Sequence, residues 1–209
     1  MGKIAYERVK GFIPREFDSV GFDLYVPFAT NEDVMFGIMR DYYVRSVTIA
    51  DSNVDIIKRL QVMSKYGNVL LSELSAVGYE FIKAGDHKTY YNSLQTFLTS
   101  GEKRTDEREV AVKMLLSHFS VDGNPMSEFS FDKGMPFYDS EQMKERIELL
   151  GDVCAYITCA DFDTVVPNEP KDALFFIQRP EDMAMPDKIR LSEYKSRIEK
   201  SGAKIIHYY

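Results

Sequence analysis

The sequence predicts an α/β protein built on a mostly parallel sheet with helices on both faces. Three observations predict it. Short apolar, β-branched runs alternate with segments of helical periodicity in both end regions of the chain. One run, Ala173-Leu174-Phe175-Phe176-Ile177, is apolar without interruption, as a strand buried on both faces is. Between the alternating regions, three helical stretches follow one another with no clear strand between them. That middle part reads as an insertion, which divides the chain into a core of residues 1–66 and 140–209 and an inserted region of residues 67–139.

The elements follow in order. Asp23-Leu24-Tyr25-Val26-Pro27-Phe28 is a short apolar run that ends in a turn-like Ala29-Thr30-Asn31-Glu32-Asp33. Residues 34–43 place Val34, Ile38 and Met39 on one helical face. Residues 44–50 are rich in β-branched side chains and read as a strand. Asp51-Ser52-Asn53 can cap the next helix, whose apolar face is Ile56, Ile57, Leu60 and Met63. The inserted helices are expected over 69–83, 88–100 and 106–119. Turn residues then dominate, and the alternation around Phe129 and Phe131 points to a hairpin. Ser140 is a good N-cap for a helix that shows Met143, Ile147 and Leu150 on one side. Strands are expected over 153–159, 172–178 and 204–209, with a helix over 187–201 that ends at Gly202.

Composition removes several classes. With 209 residues, 44% hydrophobic and 28% charged, the chain is neither collagen-like nor disordered, and one domain is the default. No apolar run approaches the roughly 18 residues of a spanning helix, so no membrane partner is expected. Glu7 and Arg8 interrupt the N-terminal stretch, so no signal peptide is expected there. Cys154 and Cys159 form no disulfide framework, which favours a reducing, cytoplasmic setting; both are expected to be buried on opposite faces of a strand. Twenty-six basic against 33 acidic residues give a net charge of −7, which disfavours a dominant polyanion-binding surface.

Ligands of parallel sheets bind beyond the carboxyl ends of the strands. Asp51 lies at such an end, where it either bonds ribose hydroxyls or caps a helix. Asp161 either accepts from a base amino group, with Phe162 packed on the ring, or is a loop acid beside a core aromatic. No Gly-rich phosphate loop exists, and the nearest candidate, residues 29–33, carries Glu32 and Asp33. His87, His118 and His207 are scattered without metal-ligand spacing. Lys103, Arg104, Arg108 and Lys113 form the densest basic group of the insertion, with Arg104 and Arg108 at helical spacing. Acids interleave with them, so they form either a solvated face or a phosphate-contacting one.

Taken in order, the segments resemble the Dam-type DNA adenine-N6 methyltransferases along nearly the whole chain. Ile4-Ala5-Tyr6-Glu7-Arg8-Val9-Lys10, followed by Ile13-Pro14, is similar to the family's opening stretch, which puts Lys10 at a cofactor-side position. Tyr25-Val26-Pro27-Phe28 is similar to its methyl-donor loop, Ile49-Ala50-Asp51-Ser52-Asn53 to its Asp-Ile-Asn motif, and Thr158-Cys159-Ala160-Asp161-Phe162 to its Asp-Phe motif. The resemblance implies a Rossmann-like class I methyltransferase fold, with the insertion where the family recognises its target. It also implies that Asp51, Asp161, Phe162, Phe28 and Lys10 are the positions facing S-adenosylmethionine. The sheet is expected to stop one strand after the catalytic-motif strand.

The departures fall on the chemistry. Gln178-Arg179-Pro180-Glu181 stands where the family has Asp-Pro-Pro-Tyr, whose acid holds the adenine amino group and whose tyrosine stacks on the flipped base. The donor loop carries Thr30 and Glu32 for its glycines and Val26 for its acid. Preorganised stabilisation of a reacting amine tolerates such changes poorly. The resemblance therefore implies a catalytically inactive homologue, a binding or scaffold module for a protein partner, DNA or both. Such a module needs no cofactor, and uses S-adenosylmethionine only if binding is retained. Two alternatives stand beside it: a divergent active S-adenosylmethionine-dependent enzyme, and a structural subunit of a larger assembly. The cytosol of a bacterium or of a virus-infected host is the expected setting.

Overall fold

The structure, a computed structural model, describes residues 2–29, 32–167, 170–180 and 183–208, with side chains from residue 6 onward. Five strands form one sheet: β1 (Phe22–Val26), β2 (Val44–Asp51), β3 (Cys154–Cys159), β4 (Ala173–Gln178) and β5 (Lys204–Tyr208). Their order is β3-β2-β1-β4-β5, and every pairing is parallel. This is the parallel α/β sheet that the alternation predicts, in the Rossmann-like arrangement that the resemblance implies. Strand order reverses at β1, which lies between β2 and β4, so a crevice opens at the carboxyl ends of these strands.

Seven α-helices accompany the sheet among the described residues. They are α1 (Gly2–Lys10), α2 (Glu32–Asp41), α3 (Val54–Lys83), α4 (His87–Thr99), α5 (Asp106–His118), α6 (Ser140–Asp152) and α7 (Met185–Ser201). Helix α1 is an element that the sequence does not announce. The chain divides into two compact units, Met1–Leu60 with Leu149–Tyr209, and Gln61–Glu148.

The first unit is built on the sheet. Ala173 to Ile177 of β4 are all buried, as an unbroken apolar run requires. Phe175 and Ile177 face α7, where they pack with Tyr25 and with Leu191, Tyr194 and Ile198. Tyr25 and Phe175 stack with centroids 4.7 Å apart. Gly202 ends α7 in the left-handed conformation, φ 93°, and its N–H bonds to Glu199 O. In α2 every residue from Val34 to Met39 is buried. Gly37 lies under the Tyr6 ring, where a Cβ would sit 2.5 Å from ring atoms, so this glycine lets α1 and α2 approach closely.

Burial of the two cysteines is not observed. Cys154 and Cys159 are both exposed: β3 is an edge strand, paired among the described residues with β2 alone. Tyr156 of the same strand is exposed as well.

The second unit is helical. Helix α3 carries a break at Tyr66, with φ −134° and ψ 31°. Asp86 caps α4 by accepting from Lys88 N and Thr89 N, and Thr105 caps α5 by accepting from Arg108 N. Asp139, not Ser140, caps α6: its Oδ1 accepts from Glu141 N and Gln142 N. The expected hairpin reduces to a single antiparallel bridge, Ser120 to Phe129. Its aromatic alternation serves packing instead. Phe131 stacks on Phe119 at 5.3 Å, and Phe119 stacks on Phe81 at 4.5 Å. Tyr91 Oη and Gln95 Nε2 tie the loop down by donating to Ser127 O. Among the described residues no helix is long and apolar enough to cross a membrane.

Candidate functional site at the carboxyl ends of the strands

The segments leaving β1, β2, β3 and β4 meet around a cavity of about 220 Å³ in the first unit. Phe28, Asp51, Asp161, Phe162, Pro180 and Arg190 line it. Four of the five residues that the resemblance assigns to the cofactor are therefore brought together. They come from positions more than 100 residues apart in sequence. Parallel pairing does this, because it puts every carboxyl end on the same edge of the sheet.

Asp51 is 7% exposed. Its Oδ2 accepts from Ala29 N and its Oδ1 from Asn53 N, each at 2.8 Å. An ionised carboxylate offers about four acceptor positions, so two are left for a ligand hydroxyl pair. The helix cap is a different residue: Asn53 Oδ1 accepts from Asp55 N and Ile56 N at 3.0 and 3.3 Å. Asp51 thus ties the β1 and β2 loops together and retains free acceptor capacity.

Phe162 is buried and stacks on Phe28, with centroids 5.0 Å apart and planes at 29°. Tyr194 meets its edge at 5.7 Å. The Arg190 guanidinium lies over the same ring, 5.2 Å from its centre. Arg190 Nη2 also donates to Asp161 Oδ2 at 3.1 Å and to Asp163 Oδ2 at 2.7 Å, while Nη1 donates to Asp187 Oδ1 at 3.2 Å. Asp161 itself is more than half exposed. The cavity lining carries three carboxylates, Asp51, Asp161 and Asp187, against this one guanidinium, so it opposes a phosphate and accepts a neutral or cationic group. Arg190 is the residue that sequence reasoning missed. It sits 29 residues from Asp161, and only the packing of α7 on the sheet joins them.

Lys10 is not brought to this cavity. Its Nζ donates to Asp41 Oδ2 at 2.5 Å, and Asp41 ends α2 just before β2 begins. Strands rise about 3.3 Å per residue, so β2 separates that edge from Asp51 by about 23 Å. Lys10 pairs with Asp41 there. Burial pulls the Asp41 carboxyl up, but hydrogen bonds from Lys10, Arg40 and Tyr6 outweigh it and hold the group at about 2. A carboxyl depressed in the folded state adds stability that is complete above its unfolded pKa and is lost as pH falls through the folded value. Stability in urea titrations is expected to fall between about pH 4 and about pH 2, and Asp41→Asn to flatten part of that slope. An unchanged slope in the variant would remove Asp41 as its source.

The altered motif lies at the end of β4. Gln178 pairs in register with Tyr208, and its Oε1 is buried with no hydrogen-bond partner among the described residues. Arg179 lies near His207, whose imidazole is pushed below its ordinary pKa by burial and then by the charges of Lys195 and Arg179. Pro180 lines the cavity. Glu181 lies outside the described residues, as do Thr30 and Asn31 of the candidate loop. Glu32 opens α2 and pairs with Arg59.

The basic group of the insertion lies in the second unit, where most of its cations meet acids. Arg104 lies ahead of the Thr105 cap, outside α5, so it shares no helix face with Arg108. It bonds Glu109 and covers the Phe97 ring. Arg108 bonds Glu73 and Glu80, and Lys113 bonds Glu109. Lys103 is exposed. Three of the four cations are thus paired to acids. Among the described residues no group of His, Cys, Asp or Glu is arranged to hold a metal ion.

No protein-family profile matches the chain. Over 93% of its length it is 25% identical to the type II methyltransferase M.MjaIII of Methanocaldococcus jannaschii, and the match covers 76% of that protein. This likeness supports a relation to methyltransferases.

Proposed function

We propose that this chain is a methyltransferase-like protein that holds the adenosyl part of S-adenosylmethionine or S-adenosylhomocysteine but does not methylate adenine. It serves as a binding or regulatory module for a protein partner or DNA. The observation that carries this is the convergence of Phe28, Asp51, Asp161 and Phe162 on one cavity whose neighbouring motif reads Gln178-Arg179-Pro180-Glu181. The ribose side fits, since Asp51 has two acceptor positions left after its backbone bonds. The base side offers Asp161 as acceptor for an exocyclic amine. Bound S-adenosylmethionine would supply the methyl group. Where the family's motif has its acid, however, Gln178 lacks the carboxylate charge, and Glu181 has no aromatic face on which a flipped base could stack.

The test measures binding and turnover separately. S-adenosylhomocysteine is expected to raise the melting temperature of the protein and not that of Asp51→Ala. Radiolabelled S-adenosylmethionine is expected to leave adenine-containing duplex DNA unlabelled. Transfer that disappears in Asp51→Ala would overturn the inactive assignment.

That result would establish a second reading, a divergent active methyltransferase. Two observations favour it. The Gln178 amide oxygen is a buried acceptor without a partner among the described residues, and an amine N–H would satisfy it. The likeness to M.MjaIII also spans nearly the whole chain. Under this reading Gln178→Leu removes transfer while leaving S-adenosylhomocysteine binding intact.

A further inference from the structure

We propose that Arg190 is a latch over the base subsite of this cavity, so that a purine binds only by displacing its guanidinium. This rests on reading the cavity as an adenosyl site. Three groups surround the Phe162 ring: Phe28 at 5.0 Å, Tyr194 at 5.7 Å and Arg190 at 5.2 Å. Phe28 and Tyr194 are buried core residues and cannot leave. Arg190 is 42% exposed at its side chain and can. The same guanidinium bonds Asp161, the carboxylate placed to accept an exocyclic amine. One side chain therefore holds both the stacking surface and the hydrogen-bond acceptor of the base.

The chemistry explains why arginine suits this position. A guanidinium is a planar, delocalised group that stacks on aromatic faces and points N–H donors at carboxylates from its edge. An aminopurine presents a similar flat face and edge. Arg190 thus fills the subsite with a group of the chemistry the subsite would otherwise receive. Displacement does not strand the charge, because Asp187 lies one helical turn away on α7 and already bonds Nη1. The latch has a second resting place built into its own helix. The ligand class is a nucleoside or nucleoside thioether that lacks a phosphate, since the remaining carboxylates oppose one.

Calorimetry with S-adenosylhomocysteine tests this on the whole chain. Partly exposed ion pairs and one cation–π contact must be broken on binding, so Arg190→Ala is expected to bind about tenfold tighter than the wild type. Arg190→Lys, which keeps the charge but not the planar face, falls between them. Salt gives an independent readout. Screening weakens the ion pairs of Arg190, so wild-type affinity rises from about 0.05 to about 0.5 M salt while that of Arg190→Ala does not. Circular dichroism and thermal unfolding confirm that each variant is folded. A folded Arg190→Ala that binds equally or more weakly, with no difference in salt dependence, overturns the latch and leaves the adenosyl site standing. Binding by neither protein overturns the adenosyl site and the latch together. Tight binding by Arg190→Ala that vanishes in Arg190→Ala with Asp51→Ala supports both.

Discussion

Phe162→Ala lowers the stability of the protein by about 3–5 kcal/mol, the cost of emptying a buried phenylalanine site. The magnitude follows from the neighbours. Phe162 is packed by Phe28 and Tyr194, both buried, and neither can collapse far into the space it leaves. In thermal unfolding this corresponds to a fall of roughly ten degrees for a chain of this size. If the cavity is the proposed adenosyl site, binding of S-adenosylhomocysteine is expected to be lost as well, because the ring would then be the stacking surface of the base. Phe162→Leu separates the two effects. It refills most of the volume and recovers most of the stability, but gives no aromatic face and does not restore binding. A drop below about 1 kcal/mol for the alanine variant would mean that the ring is not packed as described.

Phe81→Ala has an effect of similar size, about 3–5 kcal/mol, in the second unit. Phe81 has no exposed surface and lies at the centre of an aromatic group. It stacks on Phe119 at 4.5 Å and on His87 at 4.6 Å, and Tyr90 and Phe131 lie 6.2 Å away. Aromatic pairs of this kind add about 0.5–1.5 kcal/mol each beyond area burial. The loop that carries Phe129 and Phe131 is held to the helices largely through these rings and through Tyr91 and Gln95. Hydrogen exchange is therefore expected to show the amides of residues 119–131 opening in Phe81→Ala at denaturant concentrations that leave them protected in the wild type. Protection equal to the wild type would show that the loop does not depend on this cluster.

Each strand was legible in the sequence for a local reason. Val44 to Ala50 announces β2 by β-branching, and Ala173 to Ile177 announces β4 by unbroken apolarity. The helical stretches expected over 88–100 and 106–119 are observed as His87–Thr99 and Asp106–His118. Two expectations failed for nonlocal reasons. Cys154 and Cys159 lie on a well-formed strand, but burial depends on sheet position, and β3 is at the edge. Phe129 and Phe131 alternate as strand residues do, yet their rings pack with Phe81 and Phe119, and an isolated two-strand ladder is at best marginally stable. The resemblance puts Lys10 at a cofactor-side position, and in the structure its side chain bonds Asp41.

The candidate site shows the same division. Asp51 and Asp161-Phe162 stood out because acids and aromatics at strand ends carry chemistry in parallel sheets, which is a property of residue type and position along the chain. That Asn53 rather than Asp51 caps α3, that Asp51 instead ties Ala29 to Asn53, and that Arg190 reaches across from α7 to cover Phe162 depend on side chains meeting through folding. Periodicity and propensity act within a few residues, so local sequence specifies elements. An ion pair between α7 and the β3 end, 29 residues apart, is specified only when the sheet fixes where both ends stand.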